Sequence, residues 1–211
     1  AAQTGLKKYP QSPSANDLKE QVAEVLTPRL MVEIPFAYPA REVDLKVKYR
    51  NLTGLTIELY RMNLPVTSNI LEREITASTV SQYGKLVGTR HYQLAATPDY
   101  METDTLLHYK FPTEGIYILK SIPDAYRKYT AYGKAYVSSL QAISLGLPGG
   151  KQEINIIDRL TGHPVAGTEV AYYRVSQGEG YRLLKAYPTD SKGTVTLTPP
   201  DERNWLGINV R

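Results

Sequence analysis

Three histidines, His91, His108 and His163, are the side chains best suited to acid–base chemistry near neutral pH in this 211-residue chain. His91 and His108 stand in alternating, strand-like runs, "KLVGTRHYQL" (85–94) and "TLLHYKF" (105–111), and His163 in the turn-rich "DRLTGHPVAGTEVAYYR" (158–174). None has the spacing of a GxSxG nucleophile elbow or an HExxH zinc helix, so each reads as structural. The acidic stretch "PDYMETD" (98–104) lacks the glycine and ligand spacing of a calcium loop and reads as solvated loop. In "SLGLPGGKQE", Gly146, Gly149 and Gly150 precede Lys151, but Gln152 follows where a phosphate loop needs Ser or Thr, and strands rather than a helix come next. Zero cysteines exclude disulfides, thiolate metal sites and a thiol nucleophile. No catalytic, cofactor-binding or metal-ligating residue is therefore assigned, no cofactor is expected, and the chain reads as a non-enzyme.

The totals describe a folded chain of ordinary composition, 42% hydrophobic and 22% charged, with no apolar run long enough for a membrane helix. A net charge of +4 is carried by scattered basic residues, and a nucleic-acid surface would cluster them. "AAQTGLKKYPQSPS" shows no charged segment followed by an apolar one, so the chain reads as a mature protein or an excised fragment. The fragment is preferred, because "WLGINVR" stops while still patterned as a strand.

The elements that position these residues are mostly strands. "SANDLKEQVAEVLTP" places Leu18, Val22, Val25 and Leu26 at helical spacing behind a Ser14/Asn16 cap signal and before Pro28, which predicts one short amphipathic helix. The period then changes to two. In "EVDLKVKYR", Val43, Leu45, Val47 and Tyr49 alternate with charged residues, and after the turn "NLTG" the run "LTIELYRM" returns with Leu55, Ile57 and Leu59 inward, so 42–62 reads as a hairpin. The glycosylation pattern "NLT" is explained by the turn itself, since Asn and Gly tolerate positive φ. "RLMVEI", "KLVGTRHYQL", "TLLHYKF" and "GIYILKSI" complete a first set of strands. "PDAYRKYTAYGK" breaks the pattern near 123–134, and "AYVSSLQAIS", "QEINIID", "TEVAYYRV", "YRLLKAYP", "TVTLT" and "GINVR" form a second set. Seventeen tyrosines, among them Tyr49, Tyr60, Tyr92, Tyr109, Tyr117, Tyr172 and Tyr173 in strands, suit half-buried β surface or a face that stacks on sugars.

The reading is all-β: two immunoglobulin/fibronectin-III-like β-sandwiches with a short N-terminal helix, divided as 1–27 (linker and helix), 28–125 (first sandwich) and 126–211 (second sandwich). Gly162 and Gly167 can take positive φ, Pro164 fixes a turn, and "TDSKG" ends in a glycine after an Asp that can bond the backbone two residues on, which gives "DRLTGHPVAGTEVAYYR" and the turn after it a structural task.

"YVSSLQAISLGLPGGKQEINIIDRLTGHPVAGTEVAYYR" followed by "KAYPTDSKGTVTL" resembles the macroglobulin-type β-sandwich of large bacterial alpha-macroglobulin-like proteins, in which a "D/N-R-x-TG-x-PV-x-G" segment precedes "TD-x-x-G". "YPQSPSANDLKEQVAEVLTPRLMVEI", "VKYRNLTGLTIELYRMN" and "FPTEGIYILKS" resemble the preceding helical segment and sandwich in the same order. The resemblance implies a structural, non-enzymatic piece of a very large exported cell-envelope protein, in the periplasm or at the cell surface. Its partners would be the other domains of the same chain and the proteases that intact relatives entrap. Relatives that crosslink their captives use a thioester of Cys and Gln in a distant domain. This chain has no Cys and no bait-like segment, so no functional residue carries over. The alternative is a carbohydrate-binding or adhesive surface module using the tyrosine-rich strands.

Overall fold

A computed structural model describes residues 2–34, 42–64, 74–176, 180–198 and 205–210. The expected helix is present as α2 (Ala15–Leu26), but Ser14, although at its N-cap, makes no side-chain cap bond, and Ala15 is the residue that α2 buries. Two further short helices were not legible as such: α1 (Ala2–Lys8) ahead of it, and α3 (Ala77–Tyr83), whose first turn is capped by the Thr76 hydroxyl accepting from the Thr79 amide.

Thirteen strands are described: β1 (Arg29–Glu33), β2 (Glu42–Arg50), β3 (Gly54–Met62), β4 (Gly84–Gln93), β5 (Thr103–Lys110), β6 (Gly115–Pro123), β7 (Ala131–Val137), β8 (Leu140–Gly146), β9 (Gln152–Asp158), β10 (Glu169–Ser176), β11 (Gly180–Pro188), β12 (Thr194–Leu197) and β13 (Trp205–Val210). They form four antiparallel sheets, β1-β2-β5 with β4-β3-β6-β7, and β8-β9-β12 with β11-β10-β13. The fold is all-β, of the β-sandwich class. In the first sandwich β4 lies beside β3; an immunoglobulin constant sandwich would put its fourth strand on the opposite sheet.

The alternation in β2 puts Val43, Leu45, Val47 and Tyr49 in the core, with Leu45 and Val47 at 0% exposure. The expected hairpin does not form. β2 pairs with β1 and β5, β3 pairs with β4 and β6, and the two face one another from opposite sheets across a shared core that includes Leu55, Ile57 and Leu59. "NLTG" is therefore an arch, with Asn51 at φ 57 and Leu52 buried at its crest. An arch and a hairpin demand the same alternation on each arm, so the pattern alone could not separate them.

The strand break also lies elsewhere than at 125/126. β7 pairs with β6 from Gly115↔Val137 to Ser121↔Ala131, and Ala135 and Val137 belong to the first core. "AYVSSLQAIS" is thus two strands, and the change of sheet falls at Ser138 and Ser139. The local signal at 124–130 is a loop with a 3₁₀ turn at Arg127–Tyr129 and Tyr126 at φ 65, which joins two neighbouring strands of one sheet. A separate core, Ile154, Ile156, Val170, Val195 and Leu197, serves the second sandwich. A third cluster, Met62, Ile75, Val80 and Ile118, lies on the outer face of the four-stranded sheet where α3 covers it. Tyr117, Ile118 and Leu119 are consequently buried at 0% exposure on both faces of β6.

Candidate functional site

The fold disperses the histidines. His91 lies on β4 and His108 on β5, in opposite sheets of the first sandwich, while His163 lies in the second. His91 Nε2 is 2.8 Å from the Asp124 carboxylate, with both side chains about half exposed. Gly54 leaves room for that pair, because a Cβ there would run into the Asp124 carboxylate. His108 Nδ1 meets Asp44 across the β2–β5 ladder, next to Lys46–Asp104 at 3.0 Å and Lys48–Glu33 at 2.8 Å. These three contacts lace the outer face of one sheet, where solvent screening leaves exposed pairs of this kind little net stabilisation.

His163 acts through its backbone: its carbonyl accepts from the Asp158 amide and its amide donates to the Thr161 hydroxyl. Asp158 organises the turn, one carboxylate oxygen accepting from the Leu160 amide and from the Thr161 amide and hydroxyl at 2.8–3.1 Å. The Thr161 hydroxyl, followed by the Thr161 amide, holds the Asp158 carboxyl below the usual carboxylate range. Gly162, Gly167 and Gly193 all take left-handed φ, at 71, 72 and 70°, as the turn chemistry requires. The acidic 98–104 stretch is a loop closed by Asp99 accepting from the Met101 amide, then a strand end where Asp104 meets Lys46. Gly149 and Gly150 sit at positive φ in a turn joining β8 to β9.

One charged pair of the first sandwich was missed in the sequence. Glu58 on β3 lies opposite Lys120 on β6, and one carboxylate oxygen accepts from Lys120 Nζ at 2.8 Å and from the Tyr60 hydroxyl at 2.7 Å. Alternation placed Glu58 and Tyr60 on one face, but the partner from β6 depends on sheet order. The Lys120 ammonium holds Glu58 below its ordinary range, Glu58 pushes Lys120 up, and burial followed by the bond to Glu58 pushes Tyr60 up. A general base is usually poised upward and a nucleophilic lysine downward. Both shifts here run the other way, so the trio locks charge in place. Among the described residues, no group of three or more His, Cys, Asp or Glu side chains is placed to hold a metal ion.

Two polar joints tie the modules together. Arg50 donates to the carbonyls of Glu24 and Thr27, and Asn51 to that of Val25, so the arch of the first sandwich caps the C-terminus of α2. At the change of sheet, the Ser139 amide donates to the Glu114 carboxylate at 2.8 Å, and the Ser139 carbonyl accepts from the Arg159 amide at 2.7 Å. An open hollow of ≈ 350 Å³ lies between α1, α2 and Tyr100, floored by Val22, Val25 and Leu26.

No family profile and no curated protein matches the chain by sequence. Solved structures do match by shape. A crystal structure of native alpha-2-macroglobulin from Escherichia coli spanning domains NIE-MG1 superposes with a TM-score of 0.63 at 15% identity, over 87% of this chain and 93% of that one. The fold is macroglobulin-like. A second crystal structure of the Escherichia coli protein, spanning MG0-NIE-MG1, matches with a TM-score of 0.66 at 16% identity over 86% of this chain. This macroglobulin-like chain spans 60% of that longer fragment.

Proposed function

We propose that the chain is a non-catalytic structural segment of a large alpha-macroglobulin-like protein of the cell envelope, whose sandwiches hold other domains of the same polypeptide in place and which as a whole entraps proteases. The observation that carries this reading is the superposition on a two-domain macroglobulin fragment over nearly the full length of both chains. The short joint at Ser138–Ser139, with Ser139 bonded to Glu114 on one side and Arg159 on the other, suits a spacer that transmits position. The tyrosines argue against the carbohydrate-binding alternative. Tyr49, Tyr109, Tyr117 and Tyr173 are at most 4% exposed, Tyr92 is half-buried against the first core and Tyr60 is half-buried on the outer face beside Glu58, which leaves these strand rings little free surface to stack on a sugar.

The test uses the full polypeptide encoded by the gene, incubated with a broad-specificity protease and assayed on casein and on a small chromogenic peptide. Entrapment protects casein while leaving peptide cleavage intact, and residues 1–211 alone change neither rate. Undiminished casein cleavage by protease saturated with the full polypeptide would overturn the trapping function.

A further inference from the structure

The polypeptide passes from one sandwich to the other with almost no slack. The ladder of β7 with β6 runs to Val137↔Gly115, and the ladder of β8 with β9 is extended by the Ser139 carbonyl, which accepts from the Arg159 amide at 2.7 Å. Ser138 alone lies between the two ladders. The two cores share no residue, so the backbone torsions about Ser138 are the freedom by which one sandwich can turn against the other.

Both sides of that residue are clamped. Ser138 Oγ accepts from the Leu140 amide at 3.1 Å, and the Ser139 amide donates to a Glu114 carboxylate oxygen at 2.8 Å. Glu114 is presented from a turn that the first sandwich holds in two places. The hydroxyl of Tyr117, a residue at 0% exposure, donates to the Thr113 carbonyl at 2.9 Å, and Arg61 on β3 donates to the Glu114 carbonyl at 3.3 Å. On the far side, Arg159 stands in the turn that Asp158 organises. Its guanidinium donates to the Leu140 carbonyl at 3.0 Å, beside the bond that its amide makes with Ser139. One residue from each sandwich, anchored in its own module, thus grips the backbone one or two positions from Ser138.

We propose that Ser138 is a pivot between the two sandwiches and that Glu114 and Arg159 form a latch which holds it at one angle. A carboxylate accepting from a backbone amide makes a charge-assisted hydrogen bond, among the stronger ones that a side chain can form with the main chain. Neither Glu114 nor Arg159 belongs to a buried cluster, so the latch can open without disturbing a core. The arginine of "DRLTG" thereby acquires a task. Asp158, Thr161 and Gly162 shape the turn, and Arg159 carries the position of that turn back to the joint.

Because the chain has no cysteine, Leu106→Cys on β5 and Thr196→Cys on β12, both at exposed strand positions, place one nitroxide label in each sandwich. Dipolar electron spin resonance then reads the distance between them. The doubly labelled parent is expected to give a single narrow distance distribution. Glu114→Ala is expected to broaden it at least about twofold while leaving the urea midpoints of both sandwiches nearly unchanged, and Arg159→Ala to broaden it from the other side of the pivot. Glu114→Gln retains an oxygen that accepts from the Ser139 amide and is expected to restore the parental width. The proposal is overturned by a broad distribution in the parent, by either alanine variant at the parental width, or by Glu114→Gln as broad as Glu114→Ala. A joint that swings freely would leave the macroglobulin-like fold and the casein assay as they stand.

Discussion

Gly193→Ala tests whether the "TDSKG" turn before β12 is built for backbone geometry. Gly193 lies at φ 70, where any side chain costs ~1–2 kcal/mol through contact between its Cβ and the following carbonyl. The surroundings add to that cost. A Cβ would sit 2.5 Å from the Ile156 carbonyl oxygen and 2.9 Å from the Val165 amide nitrogen. Those two groups are joined by a 2.9 Å hydrogen bond, so the methyl group wedges into a bond that ties β9 to the Pro164–Val165 segment. Losing that bond beside the core adds ~1–3 kcal/mol, for about 2–5 in all. Gly167 is the internal control: it has nearly the same φ, 72, but nothing within 4 Å of an added Cβ, so Gly167→Ala bears only the ~1–2 kcal/mol of the left-handed conformation. The single tryptophan, Trp205, belongs to β13, so its fluorescence during urea unfolding follows the second sandwich, while tyrosine near-UV dichroism is weighted toward the first. Gly193→Ala should lower the fluorescence midpoint well below that of Gly167→Ala and leave the first sandwich nearly unchanged. Unfolding free energies for the two variants that agree within about 0.5 kcal/mol would refute the steric argument.

Other expectations concern the first sandwich. Leu45→Ala, at a position with 0% exposure, should cost ~2–5 kcal/mol, whereas Lys46→Ala, which removes a half-exposed pair with Asp104, should cost no more than about 0.5 and less in high salt; comparable losses in urea melts would contradict the register. Burial pushes the Tyr109 hydroxyl from 10 up to about 12, so the unfolded chain ionises first and stability falls between pH 10 and 12 by about 3 kcal/mol; Tyr109→Phe should flatten that limb of the stability profile, and an unchanged slope would disprove the assignment. Glu58 is held below the ordinary carboxylate range, so its contribution is present above that range and is lost as pH falls through the depressed value. Glu58→Gln should be less stable at neutral pH and show a shallower acid limb, measured by thermal melts in series from pH 6 to 2.

Local patterns that depend on a residue's own chemistry were legible in the sequence. The alternation of β2 fixed which residues turn inward, and Gly162 and Gly167 announced left-handed turn positions, because a strand's two-residue period and the absence of a Cβ are properties of the chain itself. The motifs from 136 onward pointed to a macroglobulin-type sandwich, and the solved structures share that shape. Partner choice was not legible. Whether "NLTG" closes a hairpin or arches between sheets, whether β7 joins the first sheet or opens the second, and which side chain meets Glu58 all depend on strand order. Strand order is settled only when two sheets close on a common core, and a strand with one apolar face is equally satisfied by either neighbour until they do. α2 shows the same division: its apolar spacing was correct, but the Arg50 and Asn51 side chains that cap its end come from an arch 23 to 26 residues further along the chain, which no local window contains.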